Sequence, residues 1–217
     1  MIARPVTETV YPGNKVIYLT FDDGPGPYTA ALLDLLDSYD VKATFFVMDN
    51  GYYHLMRRIV EQGHSIAIHT MTHNYRQIYA SEEAFFADLY GMQQLIQEQT
   101  GVKTWLMRFP GGSSNAVSRF NQGIMTRLTQ AVQDAGFRYF DWNVDSDDAG
   151  SARSADVVYQ NVITGLAQRN VSVVLQHDIH RYSVDAVERI LIWGFENGYT
   201  FLPLQEDSPA VHHGLNN

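Results

Sequence analysis

Apolar residues along the chain gather into seven short runs, at 16–21, 43–47, 65–68, 105–109, 139–142, 171–175 and 199–202. Most are near-continuous rather than alternating, the pattern of strands buried on both faces in a parallel sheet. Between them the period becomes helical. Ser81 reads as an N-cap before Glu82 and Glu83, Phe85, Leu89, Met92 and Ile96 share one face, and Gly101 stops the repeat. Val158, Val162 and Leu166 carry the same spacing ahead of the sixth run. Val187, Ile190, Leu191 and Gly194 carry it ahead of the seventh, closed by Gly198. Strands alternating with helices predict right-handed βαβ units and a parallel sheet, either open and doubly wound or closed into a barrel.

Composition narrows this to one unit. The 217 residues can bury a sizeable core, and no Pro-, Ser- or Gly-rich linker interrupts them, so a single domain over 1–217 is expected, with its core at about 16–204. Lys plus Arg is 15 against 24 for Asp plus Glu, a net charge of -9 that repels nucleic acid and anionic membrane surfaces. There is no cysteine, which removes disulfides, thiolate metal ligands and a Cys nucleophile together. No apolar run approaches the roughly 20 residues of a membrane span. Residues 1–15 hold no hydrophobic segment like a secretion signal, so a signal or anchor, if the protein uses one, is expected outside this chain. Nothing in the sequence calls for a partner subunit, and a monomer is expected.

In either architecture ligands collect at the carboxyl ends of strands, and the unusual polar residues stand there. Asp22 and Asp23 end the first run in "TFDDGP", His69 follows the third, Arg108 lies near the end of the fourth, Asp145 and Asp148 follow the fifth, and His177 follows the sixth. Two adjacent carboxylates aimed into one pocket need a cation, a shared proton or an arginine; as a bland alternative, Asp, Gly and Pro simply favour turns. "HTMTH" spaces His69 and His73 by four residues, and a helical turn would aim both imidazoles at one point. Asp23 is then the natural third ligand, since two His and one carboxylate with open positions is the make-up of a catalytic zinc site. In "RFPGG", Arg108 is placed to orient Asp22, and the glycine pair lets backbone N–H groups approach a ligand. "LQH" sets His177 past a buried strand, with candidate carboxylate partners in "DWNVDSDD". Trp142 in that stretch is either core or a sugar-stacking platform, and His54, His64, His212 and His213 are assigned to structure or surface.

Taken in order, "TFDDGP", "HTMTH", "RFPGG", "DWNVDSDDA" and "LQH" resemble the five motifs of the polysaccharide deacetylases, carbohydrate esterase family 4, over about 16–204. The first two are specific together; the others persuade by their order. The resemblance implies a distorted (β/α) barrel with about seven parallel strands. It also implies metal-dependent removal of acetyl groups from a glycan, with Zn2+, or Co2+ or Ni2+, as the ion. On that resemblance Asp22 is the catalytic base and Asp23, His69 and His73 are the metal ligands. Arg108 holds the base, His177 is the general acid and Asp148 tunes it. Leu175 lines the acetyl methyl, and the Gly111 N–H faces the oxyanion. Gly111 stands where the family often has Tyr, and Ala149 where the fourth motif often ends in Trp, so the groove wall differs. The "GGSSNAVSR" continuation looks most like bacterial peptidoglycan N-acetylglucosamine deacetylases, which implies extracellular or cell-surface work on an acetylated glycan. O-acetyl esterase action on xylan, chitin oligosaccharide deacetylation, and a glycan-binding module with a decayed site are the competing readings; a two-metal phosphoesterase lacks enough carboxylates at the strand ends.

Overall fold

The computed structural model describes residues 15–217, so the stretch read for a secretion signal lies outside the described residues except for Lys15. Eight strands are present among them: β1 (Val16–Asp22), β2 (Thr44–Val47), β3 (Ser65–Ile68), β4 (Leu106–Met107), β5 (Arg138–Tyr139), β6 (Val144–Asp145), β7 (Val171–His177) and β8 (Thr200–Phe201). Seven helices join them: α1 (Thr29–Ser38), α2 (Tyr53–Glu61), α3 (Tyr75–Ile78), α4 (Glu82–Thr100), α5 (Ile124–Asp134), α6 (Ala155–Leu166) and α7 (Arg181–Glu196). Every strand pairing is parallel, in the order β5-β4-β3-β2-β1-β7-β6, with β8 against the start of β1. The seven strands on that path make a curled half-barrel with helices outside, the distorted barrel form of the expected fold.

The two faces of the central strand separate two cores. Ile17, Leu19 and Phe21 pack outward on the helices, in one cluster with Phe45, Phe85, Leu89, Met92 and Ile96. Val16 and Tyr18 point inward, with Phe46, Ala67, Leu106, Phe140 and Val173. Alternation with period two therefore assigns each strand residue to one core or the other. Helix α4 forms as expected: the Ser81 side chain accepts from the Ala84 N–H at 3.1 Å, and Gly101 takes φ 77°, the left-handed C-cap conformation that glycine adopts without a Cβ clash. Its four apolar anchors are fully buried, each contributing about 1.5–3 kcal/mol of transfer free energy.

The fifth apolar run is a correction. A strand over 139–142 is expected, yet pairing stops at Tyr139 and resumes only at Val144. The backbone carbonyls between turn to a side chain instead: Arg108 donates from Nε to Phe140 O at 2.9 Å and from Nη2 to Asp141 O at 3.0 Å. The half-barrel stays unpaired at that point, and the guanidinium spans the gap. Past residue 204 the chain continues to pack, with the His212 ring stacked on Tyr139 at 3.8 Å and Asn217 Nδ2 donating to Ser118 O at 3.0 Å, so the tail is part of the folded body. Among the described residues no helix is long and apolar enough to cross a membrane.

Candidate metal and catalytic site

The inward alternation continues past the apolar core to the rim. Val16 and Tyr18 lead to Thr20 and Asp22, Ala67 leads to His69, Leu106 to Arg108, and Val173 through Leu175 to His177. One parity rule thus delivers Asp22, His69, Arg108 and His177 to the same mouth. Register supports it, since Asp22 sits directly opposite His177 and Thr20 opposite Leu175.

Asp23, His69 and His73 offer ligand atoms that all lie within 4.8 Å of one another. His69 Nδ1 lies 3.0 Å from the Arg108 carbonyl oxygen, which only a protonated Nδ1 can satisfy, so Nε2 is left to face the cluster. Asp23 Oδ1 is 3.3 Å from His69 Nε2 and 3.6 Å from His73 Nε2, and it is buried without a hydrogen-bond donor among the described residues. Burial pushes the Asp23 pKa up, but the neighbouring imidazoles of His69, His177 and His73 outweigh that and hold it well below the usual carboxylate range. Burial and then His69 pull His73 down, leaving its imidazole neutral and able to ligate. An orphaned carboxylate oxygen facing two imidazole nitrogens suits a divalent metal with positions to spare.

The two histidines do not share a helical turn. The segment from His69 to His73 is an irregular loop, and His73 takes φ 51°, so the spacing brings the rings together (centroids 5.2 Å apart) by a loop reversal. Asp88 holds that loop. Its carboxylate, buried under α4, accepts from Met71 N at 2.7 Å, Thr72 N at 3.2 Å and Thr72 Oγ1 at 2.9 Å. Asp88 lies on the same helix face as Phe85 and Met92, and an acid on an apolar face was the available sequence signal for it.

Two charge pairs flank the cluster. Fully buried Arg108 donates from Nη1 to Asp22 Oδ1 at 2.8 Å and to Thr20 Oγ1 at 2.7 Å, with its guanidinium 4.1 Å from the Phe46 ring centroid. On the other side Asp148 accepts from the His177 backbone N–H at 2.7 Å and lies 2.6 Å from His177 Nδ1 through its second oxygen. His177 Nε2 points at the cluster, 4.0 Å from Asp23 Oδ2. Burial pulls the His177 pKa down, but the hydrogen bond and charge of Asp148, helped by Asp22 and Asp23, override it and raise the value to about 9. Of the four aspartates in the acidic stretch, Asp148 is therefore the partner of His177. Asp141 instead holds Ser113 N at 2.8 Å and His213 N at 2.8 Å, and Asp145 accepts from Trp142 Nε1 at 3.1 Å.

Gly111 takes φ 74°, and its N–H has no acceptor among the described residues. Leu175 is buried on β7 between Thr20 and Asp145 in register. Trp142 is half-buried, its ring pressed on Gly112, where a Cβ would fall 2.9 Å from Cη2, and it packs on the inner core. Beside Asp23 and His73 opens a cleft of about 460 Å³ floored by Pro25, Met48, Tyr52 and Ile179. Asn50, unmarked in the sequence, donates to Asp23 O at 2.6 Å and steadies the turn carrying the carboxylates.

The family model for polysaccharide deacetylase matches residues 9–140, more than half the chain. The chain belongs to the polysaccharide deacetylase family. Its backbone is similar to the catalytic domain of peptidoglycan N-acetylglucosamine deacetylase from Eubacterium rectale, with 54% identity, a TM-score of 0.93, and coverage of 98% of this chain and 99% of that one. The polysaccharide deacetylase Bc1974 from Bacillus cereus is 37% identical with a TM-score of 0.80, over 94% of this chain and 97% of that one. A peptidoglycan-N-acetylglucosamine deacetylase from Bacillus cereus is 38% identical over 202 residues, which is 89% of this chain and 71% of the relative. Family membership makes the chain a hydrolytic deacetylase and agrees with the five motifs.

Proposed function

We propose that the chain removes N-acetyl groups from N-acetylglucosamine units of peptidoglycan, releasing acetate and a free amine outside the cell or at its surface. One observation carries this reading: a three-ligand cluster sits between an Arg108-held carboxylate on one side and an Asp148-held imidazole on the other. Peptidoglycan as substrate is supported by the relatives named for that activity.

The residues that would hold the ion are Asp23, His69 and His73, and zinc suits them, as would cobalt or nickel. Such an ion supplies Lewis-acid polarisation of the acyl oxygen and acidification of water, whose pKa it lowers from about 15.7 towards 7. The protein's own groups do the rest. Asp22, fixed by Arg108, accepts the proton of the attacking water. The Gly111 N–H donates to the acyl oxygen as negative charge develops on it, a contact worth about 3–4 kcal/mol when made in the transition state. His177, protonated at neutral pH because of Asp148, gives its proton to the departing nitrogen, so the sugar leaves as an amine rather than an amide anion. Leu175 lies against the site where the acetyl methyl would rest, and Trp142 forms a wall of the groove.

The test is acetate release from peptidoglycan, N-acetylglucosamine oligomers and acetylated xylan, with and without a chelator. Release from peptidoglycan that a chelator abolishes and zinc restores is expected. Release from xylan esters alone, or release indifferent to chelation, would refute it.

A further inference from the structure

One polar group at the mouth is left over by the mechanism above, the hydroxyl of Tyr75. Tyr75 opens the one-turn helix α3, two residues past His73. Its ring stands edge-on to His73, with centroids 4.9 Å apart at 62°, and lies nearly parallel to Tyr79 at 6.3 Å and 12°. Tyr79 is itself fixed, fully buried and donating to Pro110 O at 2.8 Å, so the segment leading into Gly111 and the Tyr75 ring are held by the same neighbour. A Cβ built on Gly111 would meet the Tyr75 hydroxyl at 3.7 Å and its Cε1 at 3.9 Å. The hydroxyl end of Tyr75 therefore lies at van der Waals distance from where a side chain at position 111 would begin.

The hydroxyl makes no hydrogen bond among the described residues, whereas two nearby tyrosines use theirs on backbone carbonyls: Tyr79 on Pro110, and Tyr182 on Asp148 at 2.7 Å. Beside it the Gly111 N–H is also without an acceptor. Two unpartnered neutral donors at neighbouring positions, beside His73 of the metal-ligand set, suit an oxygen acceptor from outside the protein. A tyrosine phenol, with an ordinary pKa of about 10, keeps its proton at neutral pH.

We propose that Tyr75 is a further catalytic residue, its O–H donating together with the Gly111 N–H to the acyl oxygen of the substrate. This rests on the deacetylase reading above. The phenol transfers no proton; it strengthens its hydrogen bond as the carbonyl oxygen gains negative charge.

Tyr75→Phe removes only the oxygen and leaves the ring packing on His73 and Tyr79 intact. On zinc-loaded enzyme with an N-acetylglucosamine tetramer, kcat should fall by about 10²-fold, the usual effect of losing one such donor. KM should change by less than about twofold, and zinc content and melting temperature should match the parent. Acetate, the product carrying the same oxygens, should bind the variant at least about tenfold more weakly by calorimetry. A variant with the parent's kcat and acetate affinity overturns the assignment, as does a rise confined to KM, which would place the hydroxyl on the sugar and not on the acyl group. Parent enzyme that releases no acetate from any N-acetylated glycan, in contrast, overturns the deacetylase reading itself.

Discussion

Replacing Asp148 by Asn tests how the site prepares its acid. The substitution keeps shape and one acceptor but removes the negative charge 2.6 Å from His177 Nδ1. In the parent that charge raises His177 to about 9 against the pull of burial. Without it burial remains, opposed by the charges of Asp22 and Asp23 alone, and the value should fall towards the ordinary 6.5. A general acid works only in its protonated form, so the alkaline limb of the kcat profile should move to lower pH by about two units or more. With 6.5 as the variant's value, the protonated fraction at pH 8 drops from about 0.9 to about 0.03, roughly a 30-fold loss of kcat, with a much smaller loss near pH 6. A cation beside Asp23 lowers both limbs alike and leaves their separation. The assay is acetate release from an N-acetylglucosamine oligomer between pH 5 and 10 for both proteins loaded with zinc. A variant whose alkaline limb coincides with that of the parent would refute the reasoning, because His177 would then owe its proton to something other than Asp148. The same pair bears on stability. His177 holds its proton more tightly folded than unfolded, so its contribution is complete below about pH 6.5 and is lost as pH rises through about 9.

Asp22→Asn should retain zinc while acetate release drops about 10²- to 10⁴-fold, whereas His69→Ala should lose both; metal analysis beside the activity assay separates them, and a normal rate in Asp22→Asn removes that residue from its role. Asp88→Ala strips acceptors from two N–H groups of the His69–His73 loop, so a destabilisation of about 1–3 kcal/mol for each group left unpaired is expected in denaturant unfolding, with weaker zinc binding by titration; unchanged zinc affinity would show that the loop holds itself.

Much of the site is readable from the chain because its residues extend strands. Asp22, His69, Arg108 and His177 continue the inward parity of apolar runs, and the two-residue period carries from a buried core to a polar rim without a break. What the pattern hides depends on contacts between distant segments. The strand over 139–142 fails because a guanidinium from 108 takes its carbonyls, a long-range competition that no local propensity records. The His69–His73 spacing points to a helical turn, yet the geometry comes from a loop anchored by Asp88 on α4. Tyr75 and Asn50 are ordinary polar residues in sequence and gain meaning only from the neighbours the fold brings to them.

Arg108 does two jobs with one planar group, orienting the Asp22 carboxylate and tying down the Phe140 and Asp141 carbonyls where strand pairing lapses. Removing it would strand Asp22 and open the wall of the half-barrel together. A descendant of this chain that gave up chemistry and kept only a grip on sugars could therefore discard His177 at modest expense, but it would have to keep the arginine. Among silent relatives, that side chain should outlast the acid and the metal ligands.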